Sequence, residues 1–164
     1  SALNDWRLSQ VVNGEYFCQD IYDMTMDMVH KTLALADGLV NRDEESVKVL
    51  MEALIVVGIA MSFAGNSRPA SGLEHYFSHM WEMMALERGV PYDLHGIQVG
   101  VGTYLTLHVY DHLRKVKPDR AVAEQHMRDF DPAVWEVQMR RIFGKAAQTL
   151  IDSEKATWHK NEPV

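Results

Sequence analysis

The chain has 164 residues, 47% of them hydrophobic and 24% charged, the profile of one ordinary globular domain. Its formal net charge is −7 and no extended Lys/Arg cluster breaks the acidic balance, which argues against nucleic acid or an anionic membrane as a partner. The lone cysteine, Cys18, excludes an internal disulfide and fits a cytoplasmic setting.

The pattern is helical from the start. Ala2 to Trp6 reads as the middle of a helix, and Ser1 stands where a natural start would carry Met. The N-terminus is therefore expected to be a cut edge of a longer chain. Asn13-Gly14 closes this first helix. A second is expected from about Glu15 to Asp37, because Phe17, Ile21, Met24, Met28 and Leu35 recur at helical spacing on one face. Gly38 stands where a C-cap glycine would. Asp43, Glu44 and Glu45 suit the positive N-terminus of a third helix. Its second half, Leu50 to Ala64, is apolar on all sides and is expected to run through the middle of the domain. The apolar run itself, Leu54 to Ala64, is too short to cross a bilayer, which takes about 20 residues.

Gly65-Asn66-Ser67-Arg68-Pro69 has turn chemistry. A helix from Ala70 to Arg88 follows, then a loop over Gly89–Asp93, then a helix from His95 to Val116. Shorter helices are expected near Asp119–Arg128 and Pro132–Phe143, with a last one from Lys145 to Trp158. No segment alternates like a strand. The expected fold is all-α, a bundle of about seven helices, with residues 1–164 forming one domain.

The candidate site lies between Gly65 and Thr103. His75 and His79 are four apart and share a helix face. From His75 to Gly89 the helix climbs about 20 Å. The six steps from Gly89 to His95 reach about 20 Å when extended. The return loop is thus just long enough to bring His95 back beside His75. Imidazoles are strong ligands for zinc and similar divalent ions. His75 and His95 could supply two ligands, with His79 a third ligand or a nearby acid. His108 and His112 have the same spacing but lie on a polar stretch and read as a solvated face. Gly96, Gly100 and Gly102 lie inside a helix, where each costs about 1 kcal/mol relative to Ala. They admit either a ligand or a second backbone. Arg68, in a loop before the His75 helix, suits an anion such as phosphate.

Ser67-Arg68-Pro69-Ala70-Ser71-Gly72-Leu73-Glu74-His75, Ser78-His79, Leu94-His95-Gly96 and Gln98-Val99-Gly100-Val101-Gly102 together resemble the sn-glycerol-1-phosphate dehydrogenases. That family stands with the iron-type alcohol dehydrogenases, glycerol dehydrogenases and dehydroquinate synthases. The openings Ala2–Leu8 and Asn13–Phe17 and the segment Trp135–Gly144 fit as well, so the resemblance covers most of the chain.

The resemblance implies a dehydroquinate synthase-like C-terminal helical domain that carries a divalent metal, zinc or nickel. It makes His75 and His95 metal ligands and places His79 near the substrate in a catalytic role. Arg68, with Ser71 and Asn66 of the same loop, would bind substrate. The family's third ligand, an Asp of a Gly-Asp pair, would fall just before Ser1, and no residue here matches it. The N-terminal domain that binds NAD(H) or NADP(H) would be absent, and no Gly-rich strand-to-helix turn is present to replace it. The implied reaction interconverts dihydroxyacetone phosphate and sn-glycerol 1-phosphate, with this chain inactive alone. Loss of the partner domain would leave apolar surface, so a homo-oligomer is expected. Two alternatives stand beside this reading. One is a helical binding or assembly module that has lost catalysis. The other is a carbocycle-forming synthase, which the Ser-Arg-Pro-Ala-Ser-Gly run argues against.

Overall fold

A computed structural model describes residues 1–156 and Trp158. The described residues form nine α-helices and one 3-10 turn, and no strand occurs among them. The helices are α1 (Ala2–Asn13), α2 (Gln19–Ala34), α3 (Ala36–Val40), α4 (Glu44–Ala64), α5 (Leu73–Arg88), α6 (His95–Leu113), α7 (Arg120–Asp129), α8 (Pro132–Phe143) and α9 (Ala147–Lys155). The 3-10 turn, Gly144–Ala146, leads into α9. The chain divides into two compact units, Ser1–Leu73 and Glu74–Val164. The all-α expectation holds. The helices are more numerous than expected, mainly because the second one breaks at Leu35.

The first unit is organised around Trp6. Its side chain is fully buried in a cluster with Leu3, Ile21, Ala60 and Ala64. The indole N–H would be costly to bury unpaired, and it donates to the Tyr16 carbonyl at 2.7 Å. Phe17 packs on the ring with centroids 5.0 Å apart. These contacts explain why α2 starts at Gln19 rather than near Glu15. Residues 15–17 are committed to tertiary partners, so Cys18 becomes the N-cap in an extended conformation. From there Ile21, Thr25 and Met28 form the buried stripe of α2, at the four- and three-residue steps of one helix face.

That stripe packs against α4. Asp43 caps α4 by accepting the Ser46 amide at 3.0 Å and the Ser46 hydroxyl at 2.8 Å. The buried residues of α4 are Ser46, Ala53, Ala60 and Ala64, small side chains at near-heptad spacing that let α2 and α3 come close. Leu54, Ile55, Ile59 and Phe63 are exposed instead. The expectation that α4 would be wrapped on all sides is thus corrected. The first unit supplies partners for one face only. With its polar first turns included, α4 runs to 21 residues and is long and apolar enough, by length and composition, to cross a membrane. The run Leu54–Ala64 by itself is shorter than that.

Gly38 is also corrected. It lies inside α3 rather than beyond a helix end. A Cβ there would sit 2.1 Å from Ser46 Oγ, so glycine at this point permits the close approach of α3 to the capped start of α4.

In the second unit, α7 and α8 start at Asp119 and Asp131, whose carboxylates accept two backbone amides each. Helices α8 and α9 pack together, and α9 buries Ala147 and Ile151. The last helix is shorter than Lys145–Trp158, because the 3-10 turn takes its first residues.

Trp6→Ala removes the largest buried side chain and leaves the Tyr16 carbonyl without its donor. It should cost about 3–5 kcal/mol of unfolding free energy, read by urea denaturation. The Ser46 amide, and next the Ser46 hydroxyl, lower the Asp43 pKa below its ordinary 3.8. A carboxyl with a depressed folded pKa stabilises above the unfolded value and loses that effect as pH falls through the folded one. Asp43→Ala should therefore lower the urea midpoint clearly at pH 7, and the gap to the unsubstituted chain should shrink as pH falls below 3.8.

Candidate metal and substrate site

The second unit brings together the three histidines picked out by spacing. His75 and His79 lie on α5, and the loop after Gly89 returns the chain so that His95 opens α6 beside them. The ring centroids are 5.3 Å apart for His75–His95, 5.8 Å for His79–His95 and 6.2 Å for His75–His79. Imidazole rings at such spacing can share one small ligand. His75 is half-buried, whereas His79 and His95 are exposed.

The return is possible because of Gly102. A Cβ at this position would lie 2.5 Å from the Glu74 carbonyl oxygen and 3.3 Å from Glu74 Cα, so only glycine lets α6 pass over the first turn of α5. Of the two readings for these glycines, close approach of a second backbone applies to Gly102. Gly96 and Gly100 are different, since a Cβ at either would meet nothing within 4 Å.

Hydrogen bonds hold the rings in place. Glu74 is 5% exposed, and its Oε1 lies 2.9 Å from His75 Nδ1. Ser78 is fully buried, and its Oγ lies 3.1 Å from His95 Nδ1. Glu82 Oε1 lies 3.2 Å from the same nitrogen. Each of these two rings therefore has its Nδ1 engaged by the protein, which leaves Nε2 as the nitrogen for a ligand. Glu74 and Ser78 entered the sequence analysis only as part of the resemblance, with no role assigned, and Glu82 did not enter it. Their four-residue spacing along α5 was the signal that could have shown them.

The donor set fits a divalent metal in part. Two imidazoles sit side by side, with the second nitrogen of each already bonded, as metal-binding histidines commonly are. No group of three His, Cys, Asp or Glu among the described residues is arranged to hold a metal ion. His79 is near the other two rings without completing such a set.

The loop residues belong to the first unit. Arg68 forms a two-pronged pair with Glu15, with Nε 2.7 Å from Oε2 and Nη2 2.6 Å from Oε1. Its side chain is 22% exposed. Asn66 Oδ1 accepts the Arg68 amide at 3.0 Å and so shapes the turn, while the Ser71 amide donates to the Ser67 carbonyl at 2.8 Å. Gly72 lets the loop lie against α1, where a Cβ would be 2.6 Å from Ala2 Cα. Asp5 Oδ2 then accepts the Leu73 amide at 2.6 Å. In this structure the guanidinium fork that suits a phosphate holds a carboxylate.

Two other features lie apart from the three histidines. His108 and His112 are exposed, and His108 packs edge-on against Tyr104 at 4.5 Å. A hollow of about 590 Å³ is lined by His126, Met127, Phe130, Pro132, Trp135, Glu154 and Trp158. The rings of Phe130, Trp135 and Trp158 lie 5.6–6.4 Å apart, and Lys155 sits 5.8 Å from the Trp158 centroid. That is the packing of an aromatic cluster, and none of the three converging histidines lines it.

No family model matches the chain, and neither does any solved structure. Curated relatives do match, among them several glycerol-1-phosphate dehydrogenases. The glycerol-1-phosphate dehydrogenase (NAD(P)+) of Halalkalibacterium halodurans is 40% identical over 110 residues, which is 67% of this chain and 28% of that protein. That of Geobacillus thermodenitrificans is 31% identical over 153 residues, 93% of this chain and 37% of the relative. That of Pyrococcus furiosus is 38% identical over 120 residues, 71% of this chain and 33% of the relative. The chain belongs to the glycerol-1-phosphate dehydrogenase family. It spans about a third of the length of the curated relatives it matches.

The glycines give a paired prediction. Gly102→Ala should destabilise by about 1–3 kcal/mol, because the added methyl meets backbone. Gly100→Ala should stabilise by up to about 1 kcal/mol through helix propensity, because its methyl meets nothing. Thermal melts of the two variants check both signs.

Proposed function

We propose that the chain is the helical, metal-carrying part of an enzyme that reduces dihydroxyacetone phosphate to sn-glycerol 1-phosphate with NAD(H) or NADP(H). The observation that carries this reading is the meeting of His75 and His95 with their Nδ1 atoms bonded to protein groups. The dehydrogenase names of the relatives support it. The nucleotide-binding domain would lie in the part of the relatives that this chain does not match, so the chain alone would be inactive. A cytoplasmic location goes with the same reading.

His75 and His95 would hold a divalent ion, zinc or nickel, through Nε2. When bound, the metal supplies a Lewis acid for the ketone oxygen and the nicotinamide supplies hydride. His79, stacked on His95, would manage the proton at that oxygen. Arg68, with Ser71 and Asn66, would meet the substrate phosphate, and Glu15 would hold the guanidinium ready until then. Exposed apolar side chains on α4, Leu54, Ile55 and Phe63 among them, favour burial against further protein, either the rest of the enzyme or a second copy.

The test is metal content in the intact protein. His75→Ala and His95→Ala should each lower bound metal, measured by mass spectrometry of the purified protein, and abolish ketone reduction. Unchanged metal in both variants overturns the ligand assignment.

A further inference from the structure

We infer that Glu74 and Glu82 are positioning residues, which fix the tautomer and orientation of His75 and His95 so that both rings offer Nε2 to one ion. The inference deepens the metal reading above and rests on it.

A neutral imidazole has one N–H donor and one lone-pair acceptor, and its partner decides which nitrogen is which. An ionised carboxylate only accepts. Glu74 Oε1, 2.9 Å from His75 Nδ1, therefore keeps the proton on Nδ1 and the lone pair on Nε2. Glu82 Oε1, 3.2 Å from His95 Nδ1, imposes the same tautomer on the second ring. Ser78 Oγ, 3.1 Å from that nitrogen, can accept from it as well. Two rings 5.3 Å apart, on different helices, thus receive the same instruction from two different carboxylates. A role confined to packing would not require both acceptors to choose Nδ1.

The placement follows from the helix. Glu74, Ser78 and Glu82 are spaced by four residues along α5, so they form one ladder. Gly102 brings α6 against the bottom of that ladder, and His95 meets its upper rungs. The two carboxylates differ in setting. The Glu74 side chain is 7% exposed and that of Glu82 is 26% exposed. A bond shielded from water is stronger, so Glu74 should hold its histidine more firmly.

Loss of such an outer partner commonly weakens metal binding about 10- to 100-fold. The test uses the intact protein, zinc and a competing chromophoric chelator, with His75→Ala as control. Glu74→Ala should weaken zinc binding near the upper end of that range and Glu82→Ala near the lower end. Glu74→Gln should bind closer to the unsubstituted protein, because its amide oxygen still accepts from Nδ1–H. Nitrogen NMR of labelled histidines should show Nδ1–H tautomers for both rings in the metal-free protein. Glu82→Ala should shift His95 away from that tautomer.

If His75→Ala loses zinc while Glu74→Ala and Glu82→Ala bind it normally with unchanged tautomers, the positioning role is overturned and the ligand assignment stands. If His75→Ala binds zinc as before, the ligand assignment itself falls and takes the positioning role with it. Should Glu74→Ala fail to fold, Glu74→Gln and the more exposed Glu82 decide the matter. Equal zinc affinity across Glu74→Ala, Glu82→Ala and the unsubstituted protein counts against the inference.

Discussion

The close passage of α6 over the first turn of α5 is the constraint on which the histidine cluster depends. It works backbone to backbone, at Gly102 against Glu74. Two helices joined by a short loop have a limited number of ways to pack, and the distance at the contact is set by the side chains there. With no side chain at Gly102, α6 can lie close enough for its first residue, His95, to reach the rings of His75 and His79. The same contact buries Glu74, and a buried carboxylate needs a partner. His75 is that partner. A packing requirement and a chemical one are thus met by adjacent residues, and neither is separable from the other.

The first unit solves a related problem with different means. Its apolar helix α4 presents alanines to α2, and its core is anchored by one tryptophan. Small residues give proximity, and Trp6 gives area and one directed hydrogen bond. The loop from Gly65 to Gly72 is then fixed at three points: Arg68 to Glu15, Asn66 to its own turn, and the Leu73 amide to Asp5. A loop held this firmly has lost most of its conformational entropy before any ligand arrives, which favours it as a preorganised surface.

Helix positions were legible in the sequence where local chemistry decides them. Asp119, Asp131 and Pro132 mark the starts of α7 and α8 with little ambiguity, and the helix expected near Pro132–Phe143 is found there. The convergence of His95 on His75 was legible too, because the rise of a helix and the reach of a loop are nearly invariant. The start of α2 was not, since residues 15–17 are withdrawn from the helix by partners far along the chain. Gly38 carried an ambiguous signal. A glycine after a helical run can end the helix or admit a neighbour, and only the position of Ser46 distinguishes the two. The burial of α4 was misread for a related reason. Hydrophobicity all round a helix tells what it can bury, whereas the partners present determine what it does bury.

Glu74 shows most sharply why the surroundings of a site are harder to read than its centre. The histidines stand out because their type and spacing are rare together. A glutamate beside a histidine is ordinary, and on an ideal helix adjacent side chains point apart. Where α6 closes over Glu74 it takes that carboxylate out of water, and His75 Nδ1 lies 2.9 Å from it. The carboxylate then does for His75 what Glu82 does for His95 at a less sheltered position. The directing groups of this site are created by tertiary packing from residues that locally look like helix surface. A pattern search over single residues finds the rings, and only the approach of the second backbone explains why they come together.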